Sequence, residues 1–206
     1  MNFLAHTFLS GDNVNIIIGN FIGDFVKGRT YMDYPEEIRY GILLHRYIDS
    51  FTDNHPVVQK SKSRFAPYYH KYAGVIVDIL YDHFLSANWD IISVIPLPEM
   101  TKQTYDILHE NYDILPPGAQ RIVPSFIFHR WLEAYNTIEG FELVLDRMSV
   151  RTSLPDKTKE AMQTLKDHHT DFYQEFFSFF PDIVTYITGS FGISLPLAPS
   201  FITKAG

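Results

Sequence analysis

Four short stretches set histidines and carboxylates at helical spacing among apolar residues: MNFLAH (1–6), GNFIGDFVKG (19–28), GILLHRYIDSFTDNHP (41–56) and DILYDHFL (78–85). They carry His6, Asp24, His45, Asp49, Asp53, Asp78, Asp82 and His83. Ionisable groups on faces that otherwise read as core are costly unless they are paired or hold a metal. His45 and Asp49 lie one turn apart on one face. That spacing suits a shared divalent ion, or a ligand and the carboxylate that orients it; a buried His–Asp hydrogen bond gives the same pattern. Asp78 and Asp82 are also one turn apart, and like charges at that spacing repel. Ile76, Val77, Ile79, Leu80 and Phe84 surround them, and a cation between the two would remove the repulsion. His83 points about 100° away from Asp82 and reads as a ligand, a proton donor or a neighbour of the site. Asp24, before Phe25 and Val26, is expected to be partly buried; His6 has apolar residues on both sides. Each alone would read as a satisfied core residue. Together they point to a polar centre that could bind metal.

Helix patterns must position these groups. Residues 13–27 form one helix pattern, with Ile16, Ile17, Asn20, Phe21 and Asp24 on one side and Gly28 as its stop. A second opens at Asp33-Tyr34-Pro35 with Glu36 and Glu37 in its first turn, and Asn54-His55-Pro56 ends it. His45, Asp49 and Asp53 continue the stripe of Ile38 and Ile42, so they face inward. Further helices are expected near 70–90, 99–112, 118–135 with a bend at Pro124, 137–149 and 156–187. The last has an apolar stripe of Ala161, Leu165, His168, Phe172, Phe176 and Phe179. Residues 189–206 show no periodicity and are expected to be an irregular tail. The expectation is an all-α fold: a single compact domain of seven to nine helices over 1–188.

Composition excludes several classes. The 206 residues contain no cysteine, so there is no disulfide, zinc–thiolate site or cysteine nucleophile. A net charge of −7 argues against nucleic-acid binding. No apolar run is long enough to span a membrane, no secretory signal pattern opens the chain, and a cytoplasmic location is expected. Phosphate-loop, dinucleotide-binding, nucleophile-elbow and HExxH patterns are absent. Lys60, Lys62 and Arg64, with Lys71, make the densest basic patch, and Lys27 and Arg29 another. Both read by default as solvated faces, but both flank the clusters.

The pieces MNFLAH, GN-x-x-x-DFVKG, G-I-x-x-HR-x-ID-x-x-TD and D-x-x-x-DHFL, in this order, resemble the acyl carrier protein phosphodiesterase family. The similarity continues more weakly through Trp131 and the Met148 to Arg151 region to about residue 180. The resemblance implies a helical fold similar to HD-type metal-dependent phosphohydrolases, although the chain has no His-Asp dipeptide, only the reversed Asp82-His83. It also implies hydrolysis of the phosphodiester between 4′-phosphopantetheine and a serine of holo acyl carrier protein. A divalent ion, Mn2+ first and Mg2+ or Fe2+ next, would polarise the phosphate and acidify water. On this reading His45, Asp49, Asp78 and Asp82 hold the ion, with His6 or Asp24 completing the set. Asp24, His83 and His6 serve as acid–base groups, and Lys27 and Arg46 grip the phosphate. Lys60, Lys62, Arg64 and Lys71, or Lys27 and Arg29, receive the acidic carrier protein. The rivals are a phosphohydrolase acting on a nucleotide or another small phosphodiester, and a non-catalytic module that binds carrier protein.

Overall fold

The computed structural model describes residues 1–205, and the side chains of these except 151 and 203–205. The chain runs through α1 (Phe3–Phe8), α2 (Val14–Ile22), α3 (Glu36–Asn54), α4 (Pro56–Tyr69), α5 (Ala73–Ala87) and α6 (Trp89–Ile92). It continues through α7 (Leu97–Glu110), α8 (Pro117–Phe128), α9 (Trp131–Ala134), α10 (Ile138–Arg151), α11 (Thr158–Phe191) and α12 (Pro199–Ala205). Among the described residues the only extended pairing is an isolated bridge, Ser93 to Leu197. The fold is all-α. No helix among them is long and apolar enough to cross a membrane.

The helix count exceeds the seven to nine expected because several patterns are broken locally. The residue 13–27 pattern gives α2 and a 3-10 turn, Gly23–Phe25, which carries Asp24. The 118–135 pattern is cut not at Pro124, which α8 accommodates, but at Arg130, whose backbone is left-handed at φ 48°. The α4 helix has no counterpart among the expected elements; its Lys, Ser and Pro residues hide an inward stripe of Val58, Ser61, Phe65 and Tyr69. After Gly192, in a left-handed conformation at φ 62°, residues 193–198 run without helix and α12 follows. Val94 N–H donates to the Pro196 carbonyl, Ala198 N–H to the Ile92 carbonyl, and Phe201 packs on Phe180.

Two packings position the site. The first joins α2 to α3 through Gly19 and Gly41. A Cβ on Gly19 would lie 2.1 Å from the Ile38 carbonyl oxygen, and one on Gly41 2.3 Å from that of Ile16. Only glycine lets the two backbones approach this closely. The second stacks α5 between α1 and α4–α11, burying Ile76, Val77, Leu80, Tyr81 and Phe84 against Phe65, Phe176 and Phe179.

Candidate metal centre

Three donors converge where α1, α2 and α3 meet. His6 Nε2 lies 3.2 Å from Asp49 Oδ1, and His45 Nε2 lies 3.2 Å from Asp49 Oδ2. The two imidazoles stack with centroids 4.2 Å apart, and one ligand atom from each of the three residues lies within 4.8 Å of the others. Asp24 Oδ1 is 3.5 Å from His45 Nε2 and is mostly exposed, less buried than its apolar neighbours suggested. Both histidines are buried, while Asp49 is partly open to a cleft of about 420 Å³.

Asn20 sets the direction of both rings. Its Nδ2 donates to the His6 carbonyl at 2.9 Å and to Ser10 Oγ at 2.8 Å, which leaves Oδ1 to accept. That oxygen faces His6 Nδ1 at 2.8 Å and His45 Nδ1 at 3.2 Å, so both Nδ1 atoms carry protons and donate. Both Nε2 atoms therefore turn toward Asp49. A bare nitrogen lone pair against a carboxylate oxygen is unfavourable, so each position needs a proton or a cation. Burial disfavours charge on His45, but Asp24 and Asp49 outweigh it and hold the imidazole up at about 9. Burial, reinforced by His45, pushes His6 down. Hydrogen bonds from His45 and His6 overcome desolvation and hold Asp49 well below the usual carboxylate range. Two imidazole nitrogens and a carboxylate, with the far ring nitrogens locked, fit a divalent ion. Asn20 was missed as a site residue because an amide shows no charge pattern; its place in GN-x-x-x-D was the available signal.

Asp78 and Asp82, expected as metal ligands, have partners of their own at the start of the chain. Asp78 Oδ1 accepts from the Met1 α-ammonium at 2.8 Å. Asp82, fully buried, accepts from the backbone N–H groups of Asn2, Leu4 and Ala5 at 3.1, 2.8 and 3.4 Å. The Met1 ammonium and the N–H groups that open α1 offset their mutual repulsion. Burial raises both carboxyls, Asp82 to about 7, against the pull of the ammonium. Only Asp78 reaches the cleft wall. His83 Nδ1 donates to the Tyr135 carbonyl at 2.8 Å, beside Phe84 and Phe141, and does not line the cleft.

The basic residues also separate. Arg64 makes a bidentate pair with buried Glu175 at 2.7 and 2.9 Å, and Lys60 reaches the same carboxylate. Ser61 Oγ donates to it too. Arg46 donates to the Val26 carbonyl and lies over the Tyr31 ring, bracing the loop after Asp24, on which Lys27 and Arg29 are exposed. Lys62, paired with Asp53 at 2.6 Å, lines an open groove with His70 and Lys71. That groove shares Asp53, Val75 and Asp78 with the cleft.

The family model described as acyl carrier protein phosphodiesterase matches residues 1–183. The chain belongs to this family. The protein of that name from Enterobacter sp. (strain 638) is 33% identical over 182 residues, covering 88% of this chain and 94% of its own length. Relatives of the same name from Klebsiella pneumoniae (strain 342) and Yersinia enterocolitica are 32% and 30% identical, over 89% and 90% of this chain and 96% of theirs. All four sequence stretches lie inside the family match, and the segment from Gly192 lies beyond it. No solved structure matches the chain, and the expected similarity to HD-type phosphohydrolases finds no counterpart there.

Proposed function

We propose that the protein hydrolyses the phosphodiester joining 4′-phosphopantetheine to a serine of holo acyl carrier protein, releasing apo carrier protein and 4′-phosphopantetheine. The observation that carries this reading is the His6–His45–Asp49 centre, oriented by Asn20 and open to the cleft, in a chain whose relatives bear the phosphodiesterase name. His6, His45 and Asp49 would hold a divalent ion. A mixed imidazole and carboxylate set suits Mn2+ or Fe2+ better than Mg2+. The ion supplies Lewis acidity toward the phosphate and lowers the pKa of water.

The chain's own residues do the rest. Asp24, exposed at the edge of the centre beside His45, would take the proton of the attacking water. Asp78 and Asp82 act through position: by fixing the first turn of α1 they fix where His6 stands. Arg64 and Lys60 hold α4 to α11. Lys62 and Lys71 give the acidic carrier protein a basic approach to the cleft, with Lys27 and Arg29 on a second face. A location in the cytoplasm fits such a substrate.

Mass spectrometry of holo carrier protein incubated with the protein and Mn2+ tests the reading. Loss of the phosphopantetheine mass is expected, and chelation should stop it. Persistence of the holo mass with every metal tried, alongside turnover of a nucleotide phosphodiester, would instead favour a small-molecule phosphohydrolase.

A further inference from the structure

A second cavity of about 340 Å³ adjoins the cleft and shares Asn2, Phe3 and Met148 with it. Ile122, Trp131, Tyr135 and Val144 form most of its wall, and Arg147 is the charged side chain among the described lining residues. Phe3, the dividing residue, is wedged between Phe21 and Phe126 at ring distances of 5.4 and 5.2 Å, so the partition is rigid. Two donors stand at this wall. The Trp131 indole N–H is buried without one. The Tyr135 hydroxyl, on a side chain 2% exposed and kept protonated by burial, makes no hydrogen bond among the described residues. A buried donor without a partner, such as the Trp131 indole N–H, is rare in folded proteins and calls for an explanation. The groove of Lys62, His70 and Lys71 joins the cleft through other residues, Asp53, Val75 and Asp78. The cleft thus has a charged, open extension and a nearly neutral, apolar one.

We infer that the apolar cavity receives the pantetheine arm of the substrate, so that the phosphodiester lies in the cleft with its carrier-protein side toward the Lys62–Lys71 groove. This rests on the proposed function. The scissile group joins two unlike pieces: a folded acidic protein, and a flexible neutral arm with a gem-dimethyl carbon, methylenes and two amides. A folded domain cannot enter the cavity, and the arm can. Its methyl and methylene groups suit Ile122, Val144 and Met148. Its amide carbonyls offer acceptors to the Tyr135 and Trp131 donors.

Free pantetheine, which lacks the phosphate, is the probe. With wild-type protein and Mn2+, it should compete with holo carrier protein at millimolar concentration, raising KM and sparing kcat. Val144→Trp, which fills the cavity, should lower kcat/KM for holo carrier protein by about tenfold to a hundredfold. The same variant should keep its Mn2+ affinity and its cooperative unfolding. Wild-type turnover without pantetheine competition would overturn the inference and leave the proposed function standing. Undiminished kcat/KM in a folded Val144→Trp would do the same. No wild-type turnover of holo carrier protein would overturn both. Because the competition experiment needs no variant, it decides the matter even if Val144→Trp fails to fold.

Discussion

Gly23→Ala isolates the position of one imidazole from the chemistry of the site. Gly23 has helical angles, φ −51° and ψ −41°, so alanine meets no backbone strain there. Its new Cβ, however, would lie 2.2 Å from His45 Cγ, 2.5 Å from its Cβ and 2.6 Å from its Cδ2. Reaching an ordinary carbon contact of ~3.5 Å requires a retreat of about 1.3 Å. The ring has little room, since His6 stacks on it and Asn20 bonds its Nδ1. Metal–ligand distances tolerate only about 0.2 Å. The overpacking should cost about 1–3 kcal/mol. Loss of glycine's freedom in the unfolded chain returns about 0.4–1 kcal/mol. The net effect corresponds to a Tm drop of no more than about 10 °C. Mn2+ affinity should fall by at least about tenfold to a hundredfold, the loss usual when a ligand's support is removed. Titration of free Mn2+ by electron paramagnetic resonance, with thermal melts, reads both. If Gly23→Ala bound Mn2+ within about twofold of wild type, under about 0.5 kcal/mol, the assignment of His45 as a ligand held in place by this packing would be refuted.

Asn20→Ala should weaken Mn2+ binding by about tenfold to a hundredfold without removing a metal donor, because both rings lose the acceptor on Nδ1; isothermal titration checks it, and unchanged affinity counts against the lock. Asp82→Ala should destabilise by about 1–3 kcal/mol in denaturant melts, since the α1 amides lose their acceptor. Its Mn2+ affinity should fall with it, because His6 rides on α1. Lys71→Glu should raise KM for holo carrier protein more than it lowers kcat, whereas Arg64→Ala should act on stability by about 1–3 kcal/mol, since Glu175 loses its bidentate partner and keeps Lys60 and Ser61. Burial pushes Glu175 up, but Arg64, Ser61 and Lys60 outweigh it and hold the carboxyl below the ordinary glutamate value. Its stabilisation is therefore present above about pH 4.3 and lost as pH falls through the lowered value. The Tm gap between wild type and Glu175→Gln should shrink as the solution is acidified.

The helical class, the inward stripe of His45 and Asp49, and the family resemblance were all legible in the sequence, because a 3.6-residue period states which face of a helix is buried. What that period cannot state is which partner meets a buried polar group. Asp78 and Asp82 read as metal ligands, a pair with a requirement for a cation. The folded chain meets it with the N-terminus of α1, some eighty residues away. Likewise the period left His6 an isolated histidine, and Asn20 an unremarkable amide beside a glycine. Only the Gly19–Gly41 contact brings α2 close enough to α3 for one amide oxygen to serve both rings. Lys60 and Arg64 read as part of a docking patch for the carrier protein because Glu175 lies more than a hundred residues further on, across the α4–α11 packing. The sequence by itself determined which groups must be neutralised on burial. The tertiary structure decided what neutralises each, because the partners are distant in the chain and only packing brings them together.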